Sequence, residues 1–302
     1  MNAVRHSWVP ERFGSRVRFD EPMSRHTSWH AGGAAQVYFE PQDRADLADF
    51  LRAAPAELPV HFLGLGSNLL VRDGGIRGVV VSTKESLTGF ERVDTTTVYG
   101  EAGVACARIA RQCVQWELGG ADFFAGIPGT LGGALAMNAG AFGGETWTCV
   151  VTVETLDRSG TTHVRPKADY HVSYRHVQPP VADEWFVAAR MSFTPAPGID
   201  DRAVRELLAR RRAAQPIGEW SCGSVFKNPP GDHAARLIES AGLKGHRTGD
   251  ASVSTKHANF ILNHGQATAA DLERLVLYVQ AEVNRVHGVL LTPEVRIVGE
   301  AP

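Results

Sequence analysis

The sequence predicts an α+β fold in two domains, and three observations support this prediction. Short β-rich stretches predominate between residues 36 and 195, where only two helical patterns interrupt them. Beyond residue 196, longer helical patterns predominate. The chain has 302 residues, 43% of them hydrophobic, whereas one ordinary domain has ~100–200 residues. The chain is therefore long enough for two domains, each with its own core.

Five stretches before residue 196 are predicted to form strands, because β-branched and aromatic residues are concentrated in them. They are residues 36–39, 60–63, 78–81, 150–156 and 185–193.

Two helices are predicted between these strands. Asp43 can cap the first helix, which presents Leu47, Phe50 and Leu51 on one face. The second presents Ile109, Cys113 and Trp116 on one face and is expected to end at Gly119.

The segment 194–201 is the best candidate for a domain junction. Its prolines and glycine are expected to prevent a strand from continuing or a helix from starting before Asp200 or Asp201 supplies an N-cap. We therefore expect one domain at residues 1–195 and a second at residues 196–302.

Three helices and a short strand at 260–262 are predicted in the second domain. The helices cover residues 202–212, residues 232–241 closed by Gly242, and a long segment opened by Thr268 and Asp271 and ended by Gly288. One stripe of the long helix carries apolar residues, namely Leu272, Leu275, Val276, Val279, Val283 and Val286.

Composition and charge exclude several classes of protein. Lys and Arg number 31 against 33 Asp and Glu, so the formal charge is −2, unlike that of a polybasic nucleic-acid binder. Residues 1–14 lack the apolar core of a signal peptide, and no run of 18 apolar residues occurs. We expect a cytoplasmic monomeric enzyme without nucleic-acid or membrane partners.

Neither the cysteines nor the histidines indicate a metal site. The cysteines at 106, 113, 149 and 222 form no CxxC pair, and Cys106 and Cys113 are spaced as two core positions of one helix face, so we interpret all four as reduced thiols. His26 and His30 have the i, i+4 spacing of a helical metal pair, but the residues between them are strand-like. No metal is expected.

The stretch from residue 119 to residue 144 is unusually rich in glycine. It holds nine glycines, whereas the chain average of 31 in 302 predicts about three. Glycine lets backbone N–H groups face outward and lets a bulky anion approach closely. The loop at 125–134, stiffened by Pro128, is therefore a candidate for binding a diphosphate.

A second glycine loop follows the strand at 60–63. Gly64 and Gly66 begin it like a dinucleotide fingerprint, but Leu69 occupies the place of the third glycine, and a strand-like stretch follows where a helix should open. A Rossmann domain is therefore excluded. The alternative is that these glycines only form tight turns in a β-rich fold.

Five strings in the chain resemble, in order, those of one enzyme family. They are residues 64–70, residues 125–145, the string Gly223-Ser-Val-Phe-Lys-Asn-Pro, the string Lys256-His-Ala-Asn-Phe and the string Pro293-Glu-Val-Arg. The family is UDP-N-acetylenolpyruvoylglucosamine reductase of bacterial peptidoglycan synthesis. The resemblance runs from about residue 27 to residue 299, and the modest length is similar to a shorter subclass without an extra tyrosine-bearing loop.

The resemblance implies an FAD-binding domain of the PCMH, or vanillyl-alcohol-oxidase-like, type, followed by a smaller α+β substrate-binding domain. It also implies NADPH as electron donor and a nucleotide-sugar substrate. The FAD-binding residues expected in the two loops are Gly64, Gly66, Ser67, Asn68, Leu69, Gly126, Ile127, Pro128, Gly129, Gly132, Gly133, Asn138 and Ala139.

Three catalytic residues follow from the same resemblance: Ser224 as proton donor, with Arg175 and Glu294 at the enolate. The forked guanidinium of Arg175 suits the negative charge that develops on the enolate. Glu294 should carry a proton there, because an ionised carboxylate would repel this charge. Ser224 is a weak acid and needs a neighbouring cation to donate its proton. Taken singly, each could be an ordinary turn, surface or strand residue, and only their joint occurrence with the glycine loops favours catalysis.

The candidates for holding the nucleotide-sugar diphosphate are Arg211, Arg212, Lys227 and Asn228. The resemblance adds Tyr174, His257 and Asn259 as further substrate-binding candidates. The run 210–212 could equally be the solvated end of a helix. Of His257 and Asn259, one could serve only to brace the loop.

Two positions depart from the pattern of the family. Val177 stands where a serine is common, in the string Tyr174-Arg175-His176-Val177, and His30 stands where an arginine is usual. These departures leave open a paralogue with another nucleotide-sugar substrate. Two further alternatives are an FAD-dependent oxidase or dehydrogenase of another sugar or alcohol on the same scaffold, and a flavin-binding protein without turnover.

Overall fold

The computed structural model describes residues 8–301, so residues 1–7 of the segment examined for a signal peptide lie outside the described residues. Within this range the α-helices are α1 Arg44–Ala53, α2 Cys106–Gln115, α3 Leu131–Met137, α4 Thr146–Cys149, α5 Arg202–Ala214, α6 Ala234–Ser240 and α7 Ala269–His287. Short 3-10 turns lie at Glu11–Arg16, Met23–Arg25, Asp122–Gly126 and Lys167–Asp169.

The strands are mostly short. The first ten are β1 Val17–Pro22, β2 Ala34–Phe39, β3 Val60–Leu63, β4 Leu69–Val71, β5 Ile76–Ser82, β6 Phe90–Arg92, β7 Thr97–Glu101, β8 Leu118–Gly119, β9 Gly140–Ala141 and β10 Gly144–Glu145. The others are β11 Val150–Asp157, β12 Thr162–Pro166, β13 His171–Ser173, β14 His176–Gln178, β15 Glu184–Ser192, β16 Thr194–Pro195, β17 Arg247–Thr248, β18 Ala251–Val253, β19 Ile261–Asn263 and β20 Arg296–Val298.

The strands form sheets of mixed type. A four-stranded sheet has the order β1-β2-β5-β3, and its β3 and β5 run parallel. A five-stranded antiparallel sheet has the order β12-β11-β15-β7-β6. A three-stranded antiparallel sheet, β17-β18-β19, and a parallel pair of β20 with β4 complete the larger groups. The predicted α+β class is confirmed.

The chain forms two compact units, each built from several stretches of sequence. Among the described residues, the first unit contains 8–19, 37–65 and 78–209, and the second contains 20–36, 66–77 and 210–301. The core of the second unit includes Trp29 and Leu70 from the early stretches beside residues of α6 and α7. The single domain boundary near residue 196 stays a prediction, and the compact units do not divide at one point of the chain.

All five predicted strands of the first half are confirmed, with ends within two residues of those expected. The first helix is confirmed as α1, where the Asp43 side chain accepts a hydrogen bond from the Asp46 N–H and Leu47, Phe50 and Leu51 are buried. The predicted strand at 260–262 is confirmed as β19, displaced by one residue.

Two helix ends differ from expectation. The second helix was expected to end at Gly119, but α2 ends at Gln115, because Glu117 has a positive φ of 56° and Leu118 and Gly119 form β8. Trp116 is therefore the residue after the helix. The helix predicted from residue 232 begins at Ala234, and Asp232 accepts a hydrogen bond from the His233 N–H just before it.

The longest predicted helix is confirmed with its capping box. Thr268 accepts from the Asp271 N–H while the Asp271 side chain accepts from the Thr268 N–H, and Gly288 ends α7 in the left-handed conformation. One residue of the predicted stripe is wrong, because Val286 is 43% exposed in the last turn. The other five are buried.

The junction segment also differs from expectation. Thr194 and Pro195 were expected to lie outside any strand, but they pair with Gly119 and Leu118 as β16 and β8. A two-residue pair at an edge needs few backbone donors, so it tolerates a proline. After it, the Asp200 carboxylate accepts from the Arg202 N–H at the start of α5, as predicted.

All four cysteines are free, as predicted. Burial raises the pKa of Cys113 to about 12 and holds those of Cys106 and Cys222 well above their ordinary range, so these thiols are unreactive at neutral pH. No α-helix within residues 8–301 combines the length and the apolar character that crossing a bilayer requires.

Candidate active site

The longer glycine loop leads from the 3-10 turn Asp122–Gly126 into α3. The loop folds tightly on itself, since the Ile127 N–H donates to the Phe124 carbonyl and the Gly129 N–H to the Ile127 carbonyl. The start of α3 is fixed to the neighbouring chain, because the Gly132 N–H donates to Ala102 at 2.8 Å. This loop is therefore rigidly held within the first unit.

Packing within the protein explains some of these glycines and not others. A Cβ on Gly126 would lie 2.5 Å from the Cβ of Ala141, and one on Gly132 would lie 2.9 Å from the Cβ of Ala102. Both positions are too close for any side chain. A Cβ on Gly133 would meet no atom closer than 3.9 Å, and this residue is exposed in the first turn of α3. The protein itself gives no reason for glycine at this position.

The hydroxyl of Thr130 is a buried polar group without a partner. Thr130 is 3% exposed, and its Oγ1 has no hydrogen bond with any residue in the described part of the chain. A Cβ on Gly64 would lie 2.3 Å from this oxygen, so the backbone of Gly64 approaches it closely. Buried hydroxyls normally have partners. An unsatisfied hydroxyl between the two glycine loops therefore fits a site for a polar ligand such as a dinucleotide.

The second glycine loop ends in β4 and not in a helix, which confirms the exclusion of a Rossmann domain. Gly66 has a positive φ of 68°, and a Cβ there would lie 1.9 Å from the His26 carbonyl oxygen. Its own carbonyl accepts from the Ser28 N–H at 3.1 Å. Gly66 is thus required by packing against the segment 26–28.

The serine proposed as proton donor follows Gly223, which has a φ of 79°. Ser224 is half-buried. The backbone after it is fixed by Asn259, whose carbonyl accepts from the Val225 N–H and whose side chain accepts from and donates to the backbone of Phe226. Asn259 is therefore the residue that braces this loop.

Glu294 lies beside the same backbone. Its N–H donates to the Val225 carbonyl at 2.7 Å, and Phe226 forms an isolated bridge with Pro293. Its carbonyl accepts from the Asn68 side chain at 3.0 Å. The structure therefore brings together Ser224, Glu294 and Asn68, which are far apart in the sequence, within the second unit.

Arg175 lies at the tip of a β-hairpin in the first unit. Strands β13 and β14 pair with Ser173 opposite His176, so Tyr174 and Arg175 form the two-residue turn. Arg175 has a positive φ of 53°. Its guanidinium donates to the carbonyls of Gly140 at 2.9 Å and Asn138 at 3.3 Å.

The two departures from the family pattern have clear structural settings. Val177 pairs with Val172 in the hairpin and packs against the core of the first unit, and backbone carbonyls hold the arginine. His30 has a positive φ of 53°, and its ring lies 4.3 Å from that of Trp220. The residues between His26 and His30 form turns and not the expected strand.

The substrate-binding candidates differ in their surroundings. The Asn228 side chain accepts from the Ala234 N–H at the start of α6, which is a structural role. Arg211 is half-buried, which lowers the pKa of its guanidinium, and its Nε donates to Gln215. The Nδ1 of His257 is buried without a partner among residues 8–301, and burial lowers the pKa of its imidazole.

The predicted residues are distributed over the two units. Tyr174, Arg175, Gly64 and residues 126–139 of the glycine loop belong to the first unit. Residues 66–69, Ser224, Glu294 and the remaining substrate candidates belong to the second. Thr130 was missed by sequence reasoning. Its place in the loop was a possible signal, but nothing in the sequence indicates that its hydroxyl lacks a partner.

No group of three metal-ligating side chains occurs among the described residues. His26 instead makes a hydrogen bond with Glu21, at 2.8 Å between Nε2 and Oε1.

Two family models match the chain. The model described as an FAD binding domain matches residues 35–164, and the model described as the C-terminal domain of UDP-N-acetylenolpyruvoylglucosamine reductase matches residues 215–298.

Several known proteins are similar to the chain along almost its whole length. A UDP-N-acetylenolpyruvoylglucosamine reductase of Alkalilimnicola ehrlichii is 58% identical, covering 94% of this chain and 95% of the relative. That of Methylococcus capsulatus is 57% identical, covering 93% and 92%. The crystal structure of the reductase of Thermus caldophilus matches with a TM-score of 0.77 at 32% identity, covering 95% of this chain and 98% of that chain.

Proposed function

The chain belongs to the UDP-N-acetylenolpyruvoylglucosamine reductase family, and from this premise we propose which of its residues carry out the reaction. The protein is an FAD-dependent oxidoreductase of peptidoglycan synthesis that uses NADPH to reduce the enolpyruvyl group of UDP-N-acetylglucosamine enolpyruvate to UDP-N-acetylmuramate. Its fold is an FAD-binding domain of the PCMH type followed by a smaller C-terminal domain.

We propose that the two glycine loops hold FAD. The partnerless hydroxyl of Thr130 and the open space at Gly133 support this assignment, because both fit a ligand that approaches the loop closely. Glycines 64, 66, 126, 129 and 132, together with the loop residues Ser67, Asn68, Leu69, Ile127, Pro128 and Ala139, would shape this site. FAD, when bound, supplies the two-electron chemistry between NADPH and the substrate double bond.

Reduction of the double bond places negative charge toward the conjugated substrate carboxylate. We propose that Arg175 stabilises this charge, since its guanidinium is permanently cationic and can fork onto a carboxylate. The carbonyls of Asn138 and Gly140 support this role, because they fix the guanidinium before the charge develops. A preorganised cation costs little reorganisation during the reaction.

We propose that Ser224 donates a proton to the substrate carbon next to the one that receives the hydride. We also propose that Glu294 contacts the enolate formed from the substrate. One observation carries this assignment: Ser224 is half-buried, and the backbone directly after it is fixed by hydrogen bonds with Asn259 and Glu294. A hydroxyl so placed is available to a bound substrate.

Substrate binding is proposed for Tyr174, Arg211, Lys227 and His257. The buried, partnerless Nδ1 of His257 supports a polar contact with a ligand. Asn228 and Asn259 would act through the backbone that they hold, as their hydrogen bonds suggest. The monomeric state, the cytoplasmic location and the shorter subclass stay predictions from the sequence.

The experiment that tests the assignment of Ser224 uses Ser224→Ala in stopped-flow kinetics. Because the hydroxyl acts only on the substrate, flavin reduction by NADPH should keep its rate, while reoxidation by UDP-N-acetylglucosamine enolpyruvate should slow at least ~10²-fold. Equal reoxidation rates in the variant and the parent would refute the role of Ser224.

The same assay tests the alternatives. An oxidase or dehydrogenase of another sugar or alcohol would bleach the flavin with its substrate in the absence of NADPH. A binding protein without turnover would hold FAD but give no stimulated NADPH consumption.

A further inference from the structure

We propose that Asn138 is a positioning residue for Arg175. This inference rests on the proposed function of Arg175 and concerns only residues of the first unit. The resemblance assigned Asn138 to the cofactor, but its side chain makes hydrogen bonds with other residues of the protein.

The arginine needs external support because of its location. A two-residue hairpin turn such as Tyr174 and Arg175 has no neighbour of its own sheet beyond the tip. The Arg175 side chain would lose several rotatable bonds of freedom on being fixed there. Contacts that help to fix it include the carbonyls of Asn138 and Gly140 and the ring of Tyr174, 5.0 Å from the guanidinium carbon.

The backbone of Asn138 turns its carbonyl toward the arginine. Asn138 follows the last residue of α3 and has φ 47° and ψ 53°, in the left-handed region. Asparagine adopts this conformation more readily than most residues other than glycine. The chain therefore leaves the helix at this residue and runs into Gly140.

The side chain of Asn138 joins three segments of the first unit. Its Nδ2 donates to Glu145 Oε2 at 2.9 Å and to the Ser173 carbonyl at 3.1 Å, and its Oδ1 accepts from the Trp147 N–H at 3.1 Å. Ser173 is the last residue of β13, directly before the turn. Asn138 therefore holds both the base of the turn and, through its carbonyl, the guanidinium.

An amide is required at this position. Asn138 is 1% exposed, so its donors and acceptor must be satisfied within the protein. A carboxylate would face Glu145 and the Ser173 carbonyl with no hydrogen to donate, although its size and its tolerance of a positive φ are nearly the same. Asn138→Asp therefore removes two hydrogen bonds with little change in shape.

The test is a double-mutant cycle of Asn138→Asp with Arg175→Ala in full-length holoenzyme. Both single variants should slow flavin reoxidation by substrate, Asn138→Asp by about 10-fold to 100-fold, since a shift of about 1 Å in a positioned group can cost that much. FAD content and flavin reduction by NADPH should stay as in the parent. The double variant should be no slower than Arg175→Ala alone, because Asn138 acts through Arg175.

Each other outcome has a distinct meaning. Multiplied effects in the double variant, unchanged reoxidation in Asn138→Asp, or loss of FAD from it would overturn the inference and leave the role of Arg175 intact. Unchanged reoxidation in Arg175→Ala would overturn the proposed role of Arg175 and the inference with it. If Asn138→Asp does not fold, Glu145→Ala removes the acceptor of the same amide, and its cycle with Arg175→Ala must give the same non-additive result.

Discussion

Two adjacent glycines at the start of α3 differ in what surrounds them, and this difference tests the FAD site. Gly132 faces Ala102, whereas Gly133 faces open space. Gly133→Ala should raise the free energy of unfolding of the apoprotein slightly, since alanine is favoured over glycine in a helix by about 1 kcal/mol. If FAD approaches this position, the same change should weaken retention of FAD by at least ~10-fold, measured by absorbance after dialysis.

Gly132→Ala is the matched control for this prediction. Its Cβ would lie 2.9 Å from that of Ala102, so the apoprotein should lose stability, by about 1–3 kcal/mol for an overpacked site. Unchanged FAD retention in Gly133→Ala would contradict the proposed location of the cofactor.

A second prediction concerns the pair of Glu184 and Arg165. The hydrogen bonds of the Arg165 guanidinium lower the pKa of the Glu184 carboxyl below its ordinary 4.5, against the effect of its burial. A lowered pKa in the folded state gives stability that is present above the unfolded value and is lost as the pH falls below it. The stability difference between the parent and Glu184→Gln should therefore shrink as the pH falls over the acidic range below about 4.5, measured by urea unfolding.

A constant difference over that range would contradict the assignment. Glu184→Gln is a suitable variant because it keeps an acceptor for Thr155, whose hydroxyl donates to Glu184 at 2.7 Å.

At this scale the sequence suggested candidate chemical groups but not their partners. Ser224, Arg175 and Glu294 were proposed from the resemblance to the family. The carbonyls of Asn138 and Gly140 that fix Arg175 lie 37 and 35 residues before it in the sequence, and no local pattern encodes such contacts. Asn138 was assigned to the cofactor because it lies in a glycine-rich string that resembles the family.

The capping box of α7 gives a prediction at the scale of the element. Thr268→Ala removes the acceptor of the Asp271 N–H and should lower the free energy of unfolding by about 1 kcal/mol. Val286→Ala on the same helix should change it by less than about 0.5 kcal/mol, because this side chain is 43% exposed. Chemical denaturation of both variants measures the contrast, and an equal loss in both would contradict the positions assigned to them.

Elements were predictable where their signals are local. The ends of α7 follow from Thr268, Asp271 and Gly288, which act within one turn of the helix. The pairing of Pro195 with Leu118 is not local, since it joins residues far apart in the chain. No local pattern in the sequence therefore indicates that the junction segment forms part of a strand pair.

The interleaved units predict how a fragment of the molecule will behave. The fragment 196–302 lacks Trp29 and Leu70, which are fully buried in the core of the second unit, and lacks β4, the partner of β20. Without these contacts it should not unfold cooperatively, whereas the full chain should. Thermal unfolding followed by near-ultraviolet circular dichroism measures this.

A cooperative transition of the isolated fragment would support a single boundary near residue 196 instead. Addition of the missing early stretches as peptides, residues 20–36 and 66–77, is the natural control. Their restoration of near-ultraviolet signal would indicate that the missing contacts, and not an accident of truncation, are responsible.

The burial of Trp29 also has a consequence for biosynthesis. Its indole N–H donates to the carbonyl of Ile261, 232 positions later in the chain. At about 5–20 residues per second, a ribosome needs on the order of 10 to 50 s to add these residues. During that interval the Trp29 side chain of the nascent polypeptide cannot yet contact Ile261, and a chaperone can bind this large aromatic surface.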